Sequence, residues 1–226
     1  RRALRIAGCT YRCCQVALEK GLCFYLGGGQ HHGKYSYGDG FCIINDIVLS
    51  LRKAQAEGLI RNAWVIDLDA HRGDGTAALT EGDDSIRTLS IHMAEGWPLD
   101  RARSRADGSP EPSFIPGDID VGIRSGEEEE YNDRLKSALE ELAGLPKPDL
   151  ALVLSGTDCS AEDKLPSSAL LQLTSEQIKS RDIMVYAFLQ RHSVPAAYVM
   201  AGSYGTGAWR LYAQFLGPVL RERLKA

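Results

Sequence analysis

Four short apolar runs recur along this 226-residue chain, and each is followed at once by polar or titratable residues. They are Leu22 to Leu26, Ala63 to Leu68, Asp149 to Ser155 and Ala196 to Ala201. Thr88 to His92 reads as a further strand. Stretches with helical spacing lie between them: Arg1 to Lys20, Ile43 to Glu57, a short one near Thr76 to Glu81, and Trp209 to Leu224, which Gly217-Pro218 should interrupt. Ser125 with Glu128 reads as a capping box opening a helix that reaches Leu142, and Thr174 with Gln177 opens another reaching Arg191. Buried strands alternating with helices imply parallel βαβ units. The expected fold is a single α/β domain, with a predominantly parallel β-sheet flanked by helices.

Composition narrows the function. Lys and Arg number 26 against 30 Asp and Glu, a net charge of -4, so no basic excess marks a nucleic-acid or anionic-membrane binder. No apolar run approaches the ~18 residues of a membrane span. Cys9, Cys13, Cys14, Cys23, Cys42 and Cys159 lack paired Cys-x-x-Cys spacing and read as reduced thiols, which predicts a cytoplasmic protein. Met93 to Asp118 breaks the rhythm with four of the nine prolines; a loop this long in a compact domain is functional or disordered. The Glu127 to Glu130 run reads as a first helical turn favouring the helix dipole.

In parallel α/β sheets, ligands sit beyond the carboxyl ends of the strands. There the chain carries GGGQHH with His31 and His32, then VIDLDAHRGDG with Asp67, Asp69, His71 and Asp74, then Gly-Thr-Asp158, then Gly-Ser-Tyr204. Residues i and i+2 of an extended segment project to one side, so Asp69 and His71 can reach one ion. Asp158 from another strand end supplies a second carboxylate, a donor set that suits Zn²⁺ with an open position. An isolated Asp-x-His equally well braces a loop. Its coincidence with Asp158 and a His pair at matching strand ends favours a metal. The His pair needs partners that fix each tautomer, and Asp67 and Asp74 are the carboxylates left over. Two His–Asp pairs beside one metal make a general acid/base apparatus for hydrolysis.

The stretches GGGQHHGKYSYGDGFCIIND, VIDLDAHRGDG, VLSGTDCSAEDKL and AGSYG, in that order, resemble the histone deacetylase family, especially its bacterial and class IV-like branch with the acetoin-utilisation proteins. The resemblance covers nearly the whole chain and implies an arginase/deacetylase-like fold. It implies Asp69, His71 and Asp158 as ligands of Zn²⁺, with Fe²⁺ as the alternative. It pairs His31 with Asp67 and His32 with Asp74, His32 acting as proton shuttle and His31 electrostatically. Tyr204 matches the tyrosine that polarises the amide carbonyl and holds the oxyanion. Gly40 and Phe41 match one wall of the acyl-lysine channel and Trp97 the facing aromatic wall. Asp67 and Ser90 match a structural monovalent-cation site, K⁺. The implied reaction is hydrolysis, by metal-activated water, of an acetylated lysine peptide, an acetylpolyamine or another small acyl amide.

Three residues depart from the family pattern. Arg72 stands where His or Gln is usual, and would either repel cationic substrates or pair with an acid at the rim. Ser203 replaces a glycine and should shift Tyr204, and Trp97 should narrow the channel. Two rival functions remain at this level: an arginase-like ureohydrolase, which needs extra carboxylates for two manganese ions, and a non-catalytic acyl-lysine binding module. In the family a substantial segment precedes the GGG-His-His motif. Here only Arg1 to Lys20 stands before it, so the resemblance implies one deacetylase-like domain over 1–226 without the family's N-terminal part.

Overall fold

The computed structural model describes residues 1–224. Six parallel strands form one sheet: β1 (Leu22–Tyr25), β2 (Ala63–Asp67), β3 (Ile86–Met93), β4 (Ile119–Ile123), β5 (Leu150–Leu154) and β6 (Ala196–Val199), in the order β1-β6-β5-β2-β3-β4. The central strands β2, β5 and β6 are buried throughout, as strands covered on both faces must be. Helices α1 (Arg2–Lys20) and α2 (Asp46–Ala56) cover one face, burying Cys14, Ala17, Ile47 and Leu51 against Val65, Leu152 and Val199. On the other face Leu135, Leu139, Val185 and Phe215 pack on Ile66, Val153 and Tyr198. They come from α4 (Tyr131–Ala143), α5 (Ser175–Arg191) and α6 (Ala208–Arg223). The remaining helix, α3 (Asp74–Thr80), follows β2 directly. No described helix is long and apolar enough to cross a membrane.

The expected α/β fold with a parallel sheet is the observed one, with local differences. Strand β4 lies outside the expected elements: IDVGI alternates apolar and polar residues and buries Ile119 and Ile123, but it is only five residues long and directly follows the proline-rich loop. Ser125 and Glu128 do not form a capping box. Glu128 Oε2 accepts instead from Gly126 N (2.9 Å), residues Glu128–Glu130 make a 3₁₀ turn, and α4 begins after it at Tyr131. Glu128, Glu129 and Glu130 do make up the first turn, a 3₁₀ turn that runs into α4, and Glu127 and Glu130 also pair with Arg134. Thr174 and Gln177 do form the expected box ahead of α5. Helix α2 starts three residues later than the periodicity suggests, because Asn45 caps it by accepting from Val48 N (2.9 Å). Pro218 does not interrupt α6. Besides crowding the carbonyl four residues back, a proline ring crowds the Cβ of the residue before it, and here that residue is Gly217, which has no Cβ, so the second clash is absent.

Met93 to Asp118 is an ordered loop. Ser104 and Pro110 pair as an antiparallel bridge, Arg101 makes a bidentate pair with Asp39 (2.6 and 2.9 Å), and Arg105 bonds the Tyr37 hydroxyl. The loop is thereby tied to the segment that follows the His pair.

Candidate metal centre

The strands preceding the four polar clusters, β1, β6, β5 and β2, are consecutive neighbours in the sheet. Their carboxyl ends therefore deliver all four clusters to one place. Asp69 and His71 leave β2 in an extended turn, and Asp158 leaves β5. Candidate ligand atoms of these three buried residues lie within 4.8 Å of one another. His71 Nδ1 is 3.1 Å from both Asp69 Oδ1 and Asp158 Oδ2. Gly202 closes the floor: its N–H donates to Asp69 Oδ2 (2.7 Å), and a Cβ there would collide with both carboxylates. Two carboxylates and one imidazole crowded into a buried space fit a divalent cation.

Electrostatics point the same way. Burial, then the neighbouring Asp69 charge, pushes the Asp158 carboxyl up to about 6. Burial alone would depress His71, but Asp158 and Asp69 outweigh it and raise the imidazole to about 10.

The His pair sits beside it, with ring centroids 3.9 Å apart. His31 Nδ1 lies 2.7 Å from Asp67 Oδ2, and His32 Nδ1 lies 2.7 Å from Asp74 Oδ1. The two rings differ in surroundings. Burial opposes protonation of His31, yet Asp67 and Asp69 raise it to about 9. His32 is pulled down to about 3 by burial and by the adjacent His31. The two imidazoles are thus pushed in opposite directions by their surroundings.

Sequence reasoning missed several supports. Buried Lys34 extends Nζ to Asp74 Oδ2 (2.5 Å), and Ser113 Oγ, from the long loop, donates to the same oxygen (2.6 Å). Although burial favours its neutral form, Asp74 is held well below the usual carboxylate range by His32 and Lys34. Asn45 Nδ2 donates to His31 O (3.3 Å), while Asp46 accepts from Gly29 N (3.2 Å) and Gln30 N (2.6 Å), fixing the GGGQHH segment to α2. Ser167 Oγ lies 3.1 Å from His71 Nε2, the nitrogen facing away from the carboxylates. The paired Asn45-Asp46 opening a helix was a legible cap signal; nothing local marks Lys34, Ser113 or Ser167.

Gly40, Phe41, Trp97 and Tyr204 line a cavity of about 150 Å³ above His32 and His71. Trp97 packs edge-on to His32, with centroids 4.4 Å apart, and a Cβ on Gly40 would run into the indole. Phe41 lies opposite at positive φ (64°), largely exposed, 6.1 Å from the Tyr204 ring. Asp67 and Ser90 face each other across the β2–β3 pairing. Asp67 Oδ1 accepts from Asp69 N (3.1 Å), and Ser90 Oγ bonds His92 Nδ1 (2.9 Å).

The Histone deacetylase domain model matches residues 1–216. The chain belongs to the histone deacetylase family. An uncharacterized protein of Picosynechococcus is 33% identical over 204 residues, which are 90% of this chain and 63% of that protein. Histone deacetylase 2 of Arabidopsis thaliana is 31% identical over 218 residues, 96% of this chain and 53% of its own length. Acetoin utilization protein AcuC of Staphylococcus aureus is 27% identical over 194 residues, 83% and 47% respectively. In fold, the crystal structure of an HDAC homolog complexed with SAHA superposes with a TM-score of 0.73 at 21% identity, covering 94% of this chain and 56% of that one. The chain thus spans 47% to 63% of the lengths of these proteins.

Two departures from the histone deacetylase pattern now have physical accounts. Arg72 is 5% exposed and points away from any rim. Its guanidinium binds Asp120 through Nε (3.2 Å) and Nη2 (2.7 Å) and also bonds the carbonyls of Ser113 and Ile115. It pairs with an acid, as one of the two expectations held, but in the interior, where it anchors the long loop to β4. Ser203 Oγ accepts from Thr157 Oγ1 (3.0 Å), tying the Tyr204 turn to the residue before Asp158.

Proposed function

We propose that this chain is the catalytic core of a metal-dependent amide hydrolase that removes acetyl or other acyl groups from lysine side chains or small amines. One observation carries the reading: Asp69 and His71 line the cavity that His32 and Tyr204 also line, and Asp158 brings its carboxylate to within 4.8 Å of their ligand atoms. Asp69, His71 and Asp158 would hold the ion, Zn²⁺ in this reading and Fe²⁺ in its variant. Such an ion supplies Lewis acidity toward water and the acyl oxygen.

The chain's own residues do the rest. Gly40, Phe41 and Trp97 enclose the apolar stem of the substrate and keep bulk water from the scissile amide. His32, with Nδ1 held by Asp74 Oδ1, keeps Nε2 available to take a proton from water and return it to the leaving amine. His31, held by Asp67, acts electrostatically without moving a proton. The Tyr204 hydroxyl donates to the acyl oxygen as it becomes anionic. Water adds to the carbonyl carbon and the C–N bond breaks, leaving a carboxylate and an amine. A structural K⁺ at Asp67 and Ser90 belongs to the same reading, supported by their adjacency across β2 and β3. Six cysteines without a disulfide accord with a reducing, cytoplasmic setting.

Acetyl-lysine peptides, acetylpolyamines and longer acyl amides, assayed with and without chelator, test the proposal. Chelator-sensitive hydrolysis of at least one class is the expected result. Tight binding of acyl-lysine without turnover would favour a binding module instead, and hydrolysis of guanidino substrates with two manganese ions would favour a ureohydrolase.

A further inference from the structure

Tyr204 has to aim its hydroxyl at a developing oxyanion, yet the residue is 43% exposed and its aromatic neighbour Phe41 stands at a tilted 6.1 Å. Its direction is therefore set by the backbone that carries it. The upstream half of that turn is fixed to the metal cluster: Gly202 N donates to Asp69 Oδ2, Gly202 O accepts from Thr157 N (2.7 Å), and Ser203 bonds Thr157. The downstream half is held by a side chain in the loop after β5. Asp163 Oδ2 accepts from both Tyr204 N (2.8 Å) and Gly205 N (3.0 Å).

We infer that Asp163 is a positioning residue for Tyr204, coupling the tyrosine to the loop that also carries Asp158. Its other oxygen is occupied too: Oδ1 accepts from Leu165 N (2.9 Å), and Asp163 N donates to Ser160 O (2.9 Å). The loop therefore presents the carboxylate in a fixed direction, five residues beyond Asp158. The approach is close enough that a Cβ at Gly205 would lie 3.1 Å from Glu162 O. Only a carboxylate satisfies this arrangement. Asparagine has one oxygen, so it can accept from the Tyr204 and Gly205 pair or from Leu165, and its NH₂ then faces an N–H donor. A misplacement of about 1 Å in a catalytic group costs up to ~10²-fold in rate, so a tether of this kind registers in turnover.

The inference rests on the deacylase reading, and its test separates the two. With an acetyl-lysine peptide, Asp163→Ala should lower kcat about 10- to 100-fold, with KM changed less than about 2-fold, and Asp163→Asn should fall between it and the parent. In a Tyr204→Phe background, Asp163→Ala should cost nothing further, because the hydroxyl it positions is already gone. An unchanged kcat, or the same loss in both backgrounds, overturns the assignment. A second readout needs no turnover. In protein labelled with [ε-¹³C]tyrosine, the Tyr204 resonance, assigned by its loss in Tyr204→Phe, should shift or broaden in Asp163→Ala and Asp163→Asn while other tyrosines stay in place. A protein inert on every acyl amide removes the functional reading; an unmoved Tyr204 resonance removes this one.

Discussion

Replacing Lys34 with methionine isolates the least expected feature of the site, a cation inside the His–Asp apparatus. The Lys34 and Asp74 side chains are 3% and 0% exposed. Asp74 accepts from Lys34 Nζ (2.5 Å), His32 Nδ1 (2.7 Å), Ser113 Oγ (2.6 Å) and Gly75 N (2.8 Å). Removing one partner of a buried ion pair costs roughly 3–5 kcal/mol, because the other charge is left uncompensated. Three donors remain on Asp74, so the low end applies, about 3 kcal/mol. At ~2–4 °C per kcal/mol for a chain of this size, Tm should fall by about 6–12 °C. Urea unfolding of chelator-treated protein at pH 7 measures this without a contribution from metal release. The pH dependence supplies a second check. Asp74 titrates below its ordinary 3.8 in the folded chain, so it contributes stability that is full above about pH 4 and lost as pH falls through the folded value. Lys34→Met reduces that depression, so the gap between variant and parent should narrow below pH 4. A loss under about 1 kcal/mol, or a gap unchanged with pH, would refute the reasoning that a buried pair of this kind follows the usual cost.

Tyr204→Phe should lower kcat by ~10²–10³, the typical cost of one oxyanion donor, while metal content by elemental analysis stays at the parent level. Ser167→Ala should weaken metal binding by about 10-fold, the lower end for groups that orient a metal-bound histidine, measured by competition with a chromogenic chelator. Arg72→Ala should destabilise the chain by about 3 kcal/mol through the unpaired Asp120 and the freed carbonyls, and protease cleavage should appear between residues 100 and 118; an uncut loop would deny Arg72 its anchoring role.

Much of this site was legible because its chemistry-bearing residues sit at fixed offsets from apolar strands. Asp69 and His71 are separated by one residue in the turn that leaves β2, and Asp158 and Tyr204 follow strands that neighbour β2 or β5. What escaped was whatever depends on distance through space. Lys34 meets Asp74 across 40 residues, and His71 meets Ser167 across 96; no periodicity encodes either contact. Strand β4 escaped for another reason. IDVGI does alternate, with Ile119 and Ile123 buried, but over only five residues directly after the proline-rich loop, where Asp120 receives Arg72. Ser125 and Glu128 mimicked a cap because the pattern is local, while Glu128 Oε2 accepts from Gly126 N instead.

Titration of metal-free protein with Zn²⁺, following acetyl-lysine hydrolysis, tests the central claim most directly. The arrangement of Asp69, His71 and Asp158 predicts that activity rises linearly and levels off at one ion per chain. Activity that ignores added metal, or that levels off only at two ions, would contradict it.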